Sequence, residues 1–394
     1  GNLQVEAAQV VLDGGGDARV ASISSLSSGA GPSGTVSVTA TQSMQLHRGG
    51  QIYSSTLGPG DAGNVHVTAP IVRLEGAEGS ITSINSGSYG DESRRAGEVR
   101  LDVGQLDLRG PTAVSAETRS ILGSAGSVVV RADRVTIDGL GSYSASINAL
   151  AVGDAGDAGR IDVQARESLV LRDGGALLAG SLGQGRVGSI AVATPLLRVD
   201  GTGALKTFTG IGGDAFFYDP QGQSSQRAGV GAEVVVDAAA VQLVNGGVIS
   251  SATNTTADAG SVTLRADTLL IDGGGGTYGA TGLSTDGASS GRAGSIRIEA
   301  RQIDVRAEGS ISSSAVDTGP GGLIDVQAQR LTLDSAGGIY SVAASSFAFS
   351  ACRCPSRLRS PAASRPFAWS VRCSSSRLSC SCSPLSISSC WFSA

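Results

Sequence analysis

Short runs of aliphatic residues alternating with polar ones recur along residues 1 to about 346, and each run opens the same way. The opening is glycine or alanine, then x-aliphatic-x-aliphatic. It reads GNLQV at Gly1, GTVSV at Gly34, GNVHV at Gly63, GEVRL at Gly97, GSVVV at Gly126 and GRIDV at Gly159. It continues as GSIAV at Gly188, AEVVV at Ala232, GSVTL at Gly260, GSIRI at Gly294 and GLIDV at Gly322. The steps between openings are 33, 29, 34, 29, 33, 29, 44, 28, 34 and 28 residues. A period in this range marks a solenoid or an array. Long and short steps alternate, as duplication of a two-rung segment would produce.

Within a unit the aliphatic positions sit at fixed offsets. After Gly63, Val65 and Val67 alternate with polar residues, Ala69 marks a corner, and Val72 and Leu74 flank Arg73. Ile81 and Ile84 follow a glycine-containing turn and are expected to close the unit. Alternation with a period of two is the strand pattern, not the helix pattern. The corner is small in nine units: Ala7, Ala40, Ala69, Ala132, Ala165, Ala238, Ala266, Ala300 and Ala328, with Val103 and Thr194 the exceptions. Three short strands per unit, stacked on their equivalents, predict an all-β chain. The architecture expected is a single-stranded parallel β-helix of about eleven rungs, with three parallel sheets. The crossover rule for parallel strands predicts a right-handed coil. Stacking at about 4.8 Å per rung gives a rod roughly 50 Å long.

Charge adds a register to this picture. The residue after the second strand runs Asp13, His47, Glu75, Arg109, Asp138, Arg172, Asp200, Val244, Asp272, Arg306, Asp334. Signs alternate, so neighbouring rungs set acid beside base, which predicts a ladder of exposed ion pairs. Aromatic residues are only 4% of the chain, too few for an ordinary globular core but enough where each rung contacts only its neighbours. Residues 1–346 hold 23 basic against 34 acidic side chains, a net charge of −11 that argues against nucleic-acid binding. The chain has no 18-residue apolar run and no signal peptide, and it begins on a repeat opening. A piece of a longer exported protein is therefore expected.

Residues 347–394 differ in kind. They contain all six cysteines, both tryptophans, six arginines and no acid, and glycine ceases after Gly338. Two C-x-C pairs without histidine or acidic partners match no zinc spacing. This second segment reads as a disordered low-complexity tail or an out-of-frame translation.

Parallel β-helices can carry carbohydrate-cleaving sites built from clustered carboxylates. The outward file of the first strand reads Gln4, Ser37, His66, Arg100, Val129, Asp162, Ala191, Val235, Thr263, Arg297, Asp325, with no two acids adjacent. No paired acid and base is built there, and a non-enzymatic chain is expected. The next file sets Asp102 beside Arg131, and Asp237, Arg265 and Glu299 in sequence. His47 and His66 fall on different files. Asp154 and Asp157 in GDAGDAG, and the run from Asp272 to Gly276, hint at calcium but lack the nine-residue period of a calcium β-roll. Ordinary glycine turns are the expectation, with no metal and no cofactor. One unit, opening at Gly188, is about ten residues longer than its peers. The excess carries Phe208, Phe216, Phe217 and Tyr218, an aromatic group that makes this loop the candidate ligand-binding site.

The segments GGQIYSSTLGPGDAGNVHVTA (Gly49 to Ala69), DGGALLAGSLGQGRVGSIAVA (Asp173 to Ala193) and NGGVISSATNTTADAGSVTLRA (Asn245 to Ala266) share the pattern N/D-G-G-x-I-x-S, a glycine-rich loop, then A-G-x-V-x-V. In this they resemble the filamentous-haemagglutinin-like exoproteins of two-partner secretion systems, over residues 1 to about 346. The resemblance implies a secreted or surface adhesin of a Gram-negative bacterium or a cyanobacterium. Its implied partners are an outer-membrane transporter, engaged through an amino-terminal domain of the parent, and glycans or proteins of host or bacterial surfaces. A carbohydrate-active β-helix enzyme and a pure spacer are the alternatives.

Overall fold

The computed structural model describes residues 1–343 apart from 17–18, 93, 154–155, 184, 205–206, 215–230, 275–279, 289 and 317. The expectations for the tail, and for Phe216, Phe217 and Tyr218, lie outside the described residues. Long and short strands alternate along the chain. They are β1 (Leu3–Asp13), β2 (Ala21–Ser27), β3 (Val36–His47), β4 (Gly50–Thr56), β5 (Val65–Glu75), β6 (Thr82–Ser88), β7 (Val99–Arg109) and β8 (Thr112–Thr118). Then follow β9 (Ser127–Asp138), β10 (Ala145–Asn148), β11 (Arg160–Arg172), β12 (Gly175–Leu178), β13 (Ser189–Asp200), β14 (Thr209–Gly212) and β15 (Glu233–Val244). The last are β16 (Gly247–Ser250), β17 (Ser261–Asp272), β18 (Gly282–Ser284), β19 (Ser295–Arg306), β20 (Ser310–Ser312), β21 (Leu323–Leu333) and β22 (Gly338–Tyr340). The odd-numbered strands form one eleven-stranded sheet and the even-numbered strands a second, each in sequence order. All the strand pairings within the two sheets are parallel. The chain is a parallel β-solenoid in which ten turns separate the first rung from the last.

Two sheets replace the three expected. The small corner residues lie within the long strands. In four of the ten pairings of these strands the ladder shifts register at the corner, as between Ala7 and Gln9 or Ala165 and Ser168. Elsewhere it resumes in the same register, as from Thr194 and Ala238 to Leu196 and Ala240. Hydrophobic alternation marks where the backbone bends, but it does not show that hydrogen bonding continues through the bend. The corner is buried at Ala40, Ala69, Ala132, Ala165 and Ala328, as at Val103 and Thr194, and half-buried at Ala7, Ala238, Ala266 and Ala300.

The aliphatic files meet along the axis. Val99, Leu101, Leu106, Leu108 and Val114 of one rung are fully buried, as are their equivalents Val128, Val130, Val135, Ile137 and Ile147 in the next. Each such side chain contributes about 1.5–3 kcal/mol, so stability is spread evenly along the rod. Ile81 departs from expectation. It is 61% exposed, because the turn at 77–80 delays the inward register until Thr82 and Ile84.

Glycine at the repeat opening has a spatial cause. A Cβ built on Gly63, Gly97, Gly126, Gly159 or Gly188 would fall inside the carbonyl group of the preceding rung's opening residue. The N/D-G-G motif works differently. Asn245 and Gly246 (φ 51° and 88°), like Asp173 and Gly174 (51° and 99°), take the left-handed conformation that turns the long strand into the short one. The serine of I-x-S points inward. Ser86 donates to the Gly63 carbonyl at 2.8 Å and accepts from the Gly97 amide at 2.8 Å, tying two repeat openings together.

The charge register is correct in alignment and uneven in contact. Asp13, His47, Glu75, Arg109, Asp138, Arg172, Asp200, Val244, Asp272 and Arg306 are consecutive partners in the ladder. His47 lies 3.4 Å from Glu75, and ion pairs close between Arg172 and Asp138 (2.9 Å) and between Arg306 and Asp272 (2.9 Å). Asp13 is instead bound by Arg48, which holds its carboxyl below the ordinary range, and Asp200 by Arg198 of its own rung. In the neighbouring file Arg265 contacts both Asp237 and Glu299, as expected. Asp102 and Arg131 are aligned, yet Asp102 pairs with Arg100 and Arg131 reaches Asp162.

These contacts grade the ladder. Asp138 is only 5% exposed and receives both Nε and a terminal nitrogen of Arg172. Arg172→Glu removes that partner and adds a like charge, with an expected loss of about 2 kcal/mol. Arg109 closes no ion pair among the described residues, so Arg109→Glu is expected to cost only about 0.5–1 kcal/mol at low salt. Urea midpoints of the two variants at low ionic strength check the order.

Candidate functional site

Phe208 directly precedes β14, and Phe216, Phe217 and Tyr218 fall between β14 and β15, so the aromatic group of the long unit straddles this short strand. Of this group only Phe208 is described. Its ring lies against β14, where a Cβ on Gly210 or Gly212 would come within 3.2 and 3.4 Å of it, and it is 39% exposed. Phe208 is thus partly a cover for the flank of the rod and partly an exposed apolar surface.

The segment leaves the described rod at Asp214, a side chain missed in the sequence. Asp214 is 6% exposed. Its carboxylate lies 2.6–2.7 Å from Ser250 Oγ, which donates to it, and accepts the Ala252 amide at 2.7 Å, both from the next rung. Burial pushes its pKa from 3.8 to about 6, against the opposing effect of these donors. Asp286 repeats the arrangement two rungs on, accepting Ser312 Oγ and the Ser314 amide at 2.6 Å. Each acid caps the turn of the rung above it, a structural use of a carboxylate.

A second feature lies on the outer face of β4, β6 and β8. Inward Ile52, Ile84 and Val114 leave three outward columns, aligned in the ladder as Gln51, Ser83 and Ala113; Tyr53, Asn85 and Ser115; Ser55, Gly87 and Glu117. Tyr89 and Arg119 border them, with Leu26 and Ile81 at the rim, around a shallow groove of about 350 Å³. Gly87 makes room for Tyr89, whose ring occupies the space a Cβ there would need. Burial and the adjoining Glu117, to which the phenol is hydrogen-bonded, raise the Tyr89 pKa. The Arg119 guanidinium sits 5.6 Å from the Tyr89 ring centroid and 3.5 Å from Glu117. The signal for this site was present in the outward Tyr53, Asn85 and Glu117, but only the third strand's register brings them together.

The calcium hints resolve into structural contacts where they are described. Asp157 accepts the Arg186 amide at 2.8 Å and pairs with its guanidinium at 3.1 Å, and Asp272 pairs with Arg306. Asp154 lies outside the described residues. No group of three metal-ligating side chains occurs among the described residues. His66 stands apart from His47, as expected, with Arg100 as its ladder neighbour. Comparison with protein-family models, with curated proteins and with solved structures returns no match for this chain.

Proposed function

We propose that the chain is a non-enzymatic β-helical stalk segment of a secreted or surface-exposed bacterial adhesin of the two-partner-secretion type. The observation that supports this reading most is the stacking of eleven rungs in sequence order in both sheets. A solenoid in which each rung pairs with the next makes a stiff spacer, and its loops can vary in length without breaking the stack. Outward charges are largely spent on inter-rung pairs, which suits a soluble rod holding one register. On this reading the parent protein is delivered through an outer-membrane transporter and works on the exterior of the cell. Its partners are glycans or proteins of host or bacterial surfaces.

The aromatic insertion is the first contact surface to test. Changing Phe216, Phe217 and Tyr218 together to serine is expected to reduce adhesion of beads carrying the chain to host cells or bacteria at least about tenfold. The melting temperature is expected to stay within about 2 °C. Unchanged adhesion with a lowered melting temperature would make the loop a flank cover.

A further inference from the structure

We propose that the groove over β4, β6 and β8 is a binding site for a neutral saccharide chain. The proposal takes its biological setting from the adhesin reading above, but its argument is the chemistry of the groove.

Ser55 gives the first reason. It lies in the groove lining, is 2% exposed, and its hydroxyl has no hydrogen-bond partner among the described residues. A buried hydroxyl left unpaired costs free energy, and natural sheets seldom keep one without a use. In the other rungs of this sheet the residue three beyond the inward aliphatic is glycine, alanine, a larger aliphatic or an acid with partners (Gly87, Glu117, Gly180, Asp214, Ala252 and Asp286 among them). The one other serine, Ser314, is paired with Ser312. Serine at this place is therefore not demanded by the fold. A ligand hydroxyl reaching it from the groove, which Tyr53 and Tyr89 also line, would satisfy it.

The second reason is the mixture of groups. Gln51 and Asn85 offer planar amides that both donate and accept, and Tyr53 offers an aromatic face with a polar end. Such groups bind a ligand that is apolar on its ring faces and rich in hydroxyls at its edge. The third reason is charge. Among the described residues of the lining, Glu117 and Arg119 are the only ionic side chains, and they engage each other. The groove therefore carries no net charge, and its single cation is already committed to Glu117 and the Tyr89 ring, which disfavours phosphate, sulfate and uronate ligands. The backbone of β4 and β6 is paired on both edges, so no free strand edge is offered to a peptide. The groove is open and spans successive rungs, which fits a chain laid along the rod rather than a small molecule enclosed in a pocket.

The test titrates the full chain with cellohexaose, maltohexaose, xylohexaose and chitohexaose, with hexagalacturonate as the charged comparison. Binding is read by calorimetry and by shifts of the Tyr53 and Asn85 backbone amide resonances. At least one neutral hexasaccharide is expected to saturate at low-millimolar concentration and to move both resonances. Tyr53→Ala is expected to weaken it at least about tenfold, with an unchanged melting temperature. Gln51→Ala with Asn85→Ala serves as the second variant should Tyr53→Ala unfold. Binding of none of the four, binding of hexagalacturonate alone, or binding that neither moves these resonances nor falls in a folded variant would overturn the proposal. Beads carrying Tyr53→Ala separate this result from the broader reading. Adhesion that persists while the groove binds no sugar leaves the adhesin standing and removes the groove from it.

Discussion

Gly159→Ala is expected to destabilise the solenoid by at least about 3 kcal/mol, although alanine is the better strand residue by propensity. Gly159 opens the sixth repeat, and a Cβ there would overlap the carbonyl group of Gly126 and approach the Ala149 methyl at 3.1 Å. Its backbone is not left-handed, so the cost is one of space alone. The strands are held by parallel pairing on both sides, at Ser127 and Ser189, and cannot retreat separately. Gly29→Ala is the control, since a Cβ there meets nothing within 4 Å and the φ angle is also ordinary. Its midpoint is expected within about 0.5 kcal/mol of the parent. Equal stability of the two variants in urea would mean that the rungs are not in van der Waals contact at the opening glycines. The eighth rung shows how the chain accommodates a methyl. Where Ala232 replaces the opening glycine, the inward position that is Ser86 or Ser251 elsewhere is Gly213, and a Cβ on Gly213 would overlap the Ala232 methyl.

Asp214 is expected to give the rod a pH dependence opposite to that of an ion-paired acid. Its carboxyl has a pKa of about 6 in the fold and 3.8 when exposed, so the folded chain holds the extra proton between those values. Stability from this group is fully present below about pH 4 and is lost as pH rises through 6. Two pK units correspond to about 3 kcal/mol. Asp214→Asn keeps an acceptor for the Ala252 amide and cannot ionise. The difference in unfolding free energy between variant and parent is therefore expected to grow between pH 4 and pH 6.5 and then level off. A difference independent of pH would place the carboxylate in water rather than under the next rung.

Much of this architecture was legible in the residues. The eleven openings, the alanine corners and the file from Asp13 to Arg306 align in the structure as their spacing implied, because one residue of slippage would turn every aliphatic side chain outward. Two kinds of feature were not legible. Whether a bend interrupts a sheet depends on backbone hydrogen bonds, which leave no mark on side-chain alternation; hence two sheets and not three. The choice of ionic partner depends on side-chain reach, and so Arg131 passes over Asp102 for Asp162. The groove escaped for a related reason. Its polar residues follow no periodic rule, and Ile81, expected inside, stands at its rim. Phe208, chosen from the sequence for its aromatic neighbours, is the one member of that group whose setting is described.

Labelling tests most directly the proposal that this rod works outside the cell. A single cysteine placed at Val11 or Leu122, both well exposed, offers a handle on the native parent protein. Intact bacteria are treated with a membrane-impermeant maleimide, and the label is compared with that gained after lysis, the tail cysteines having been replaced by serine. Full labelling of intact cells, or of the protein in the culture fluid, is expected, with no further gain on lysis. Labelling that occurs only after lysis would contradict it.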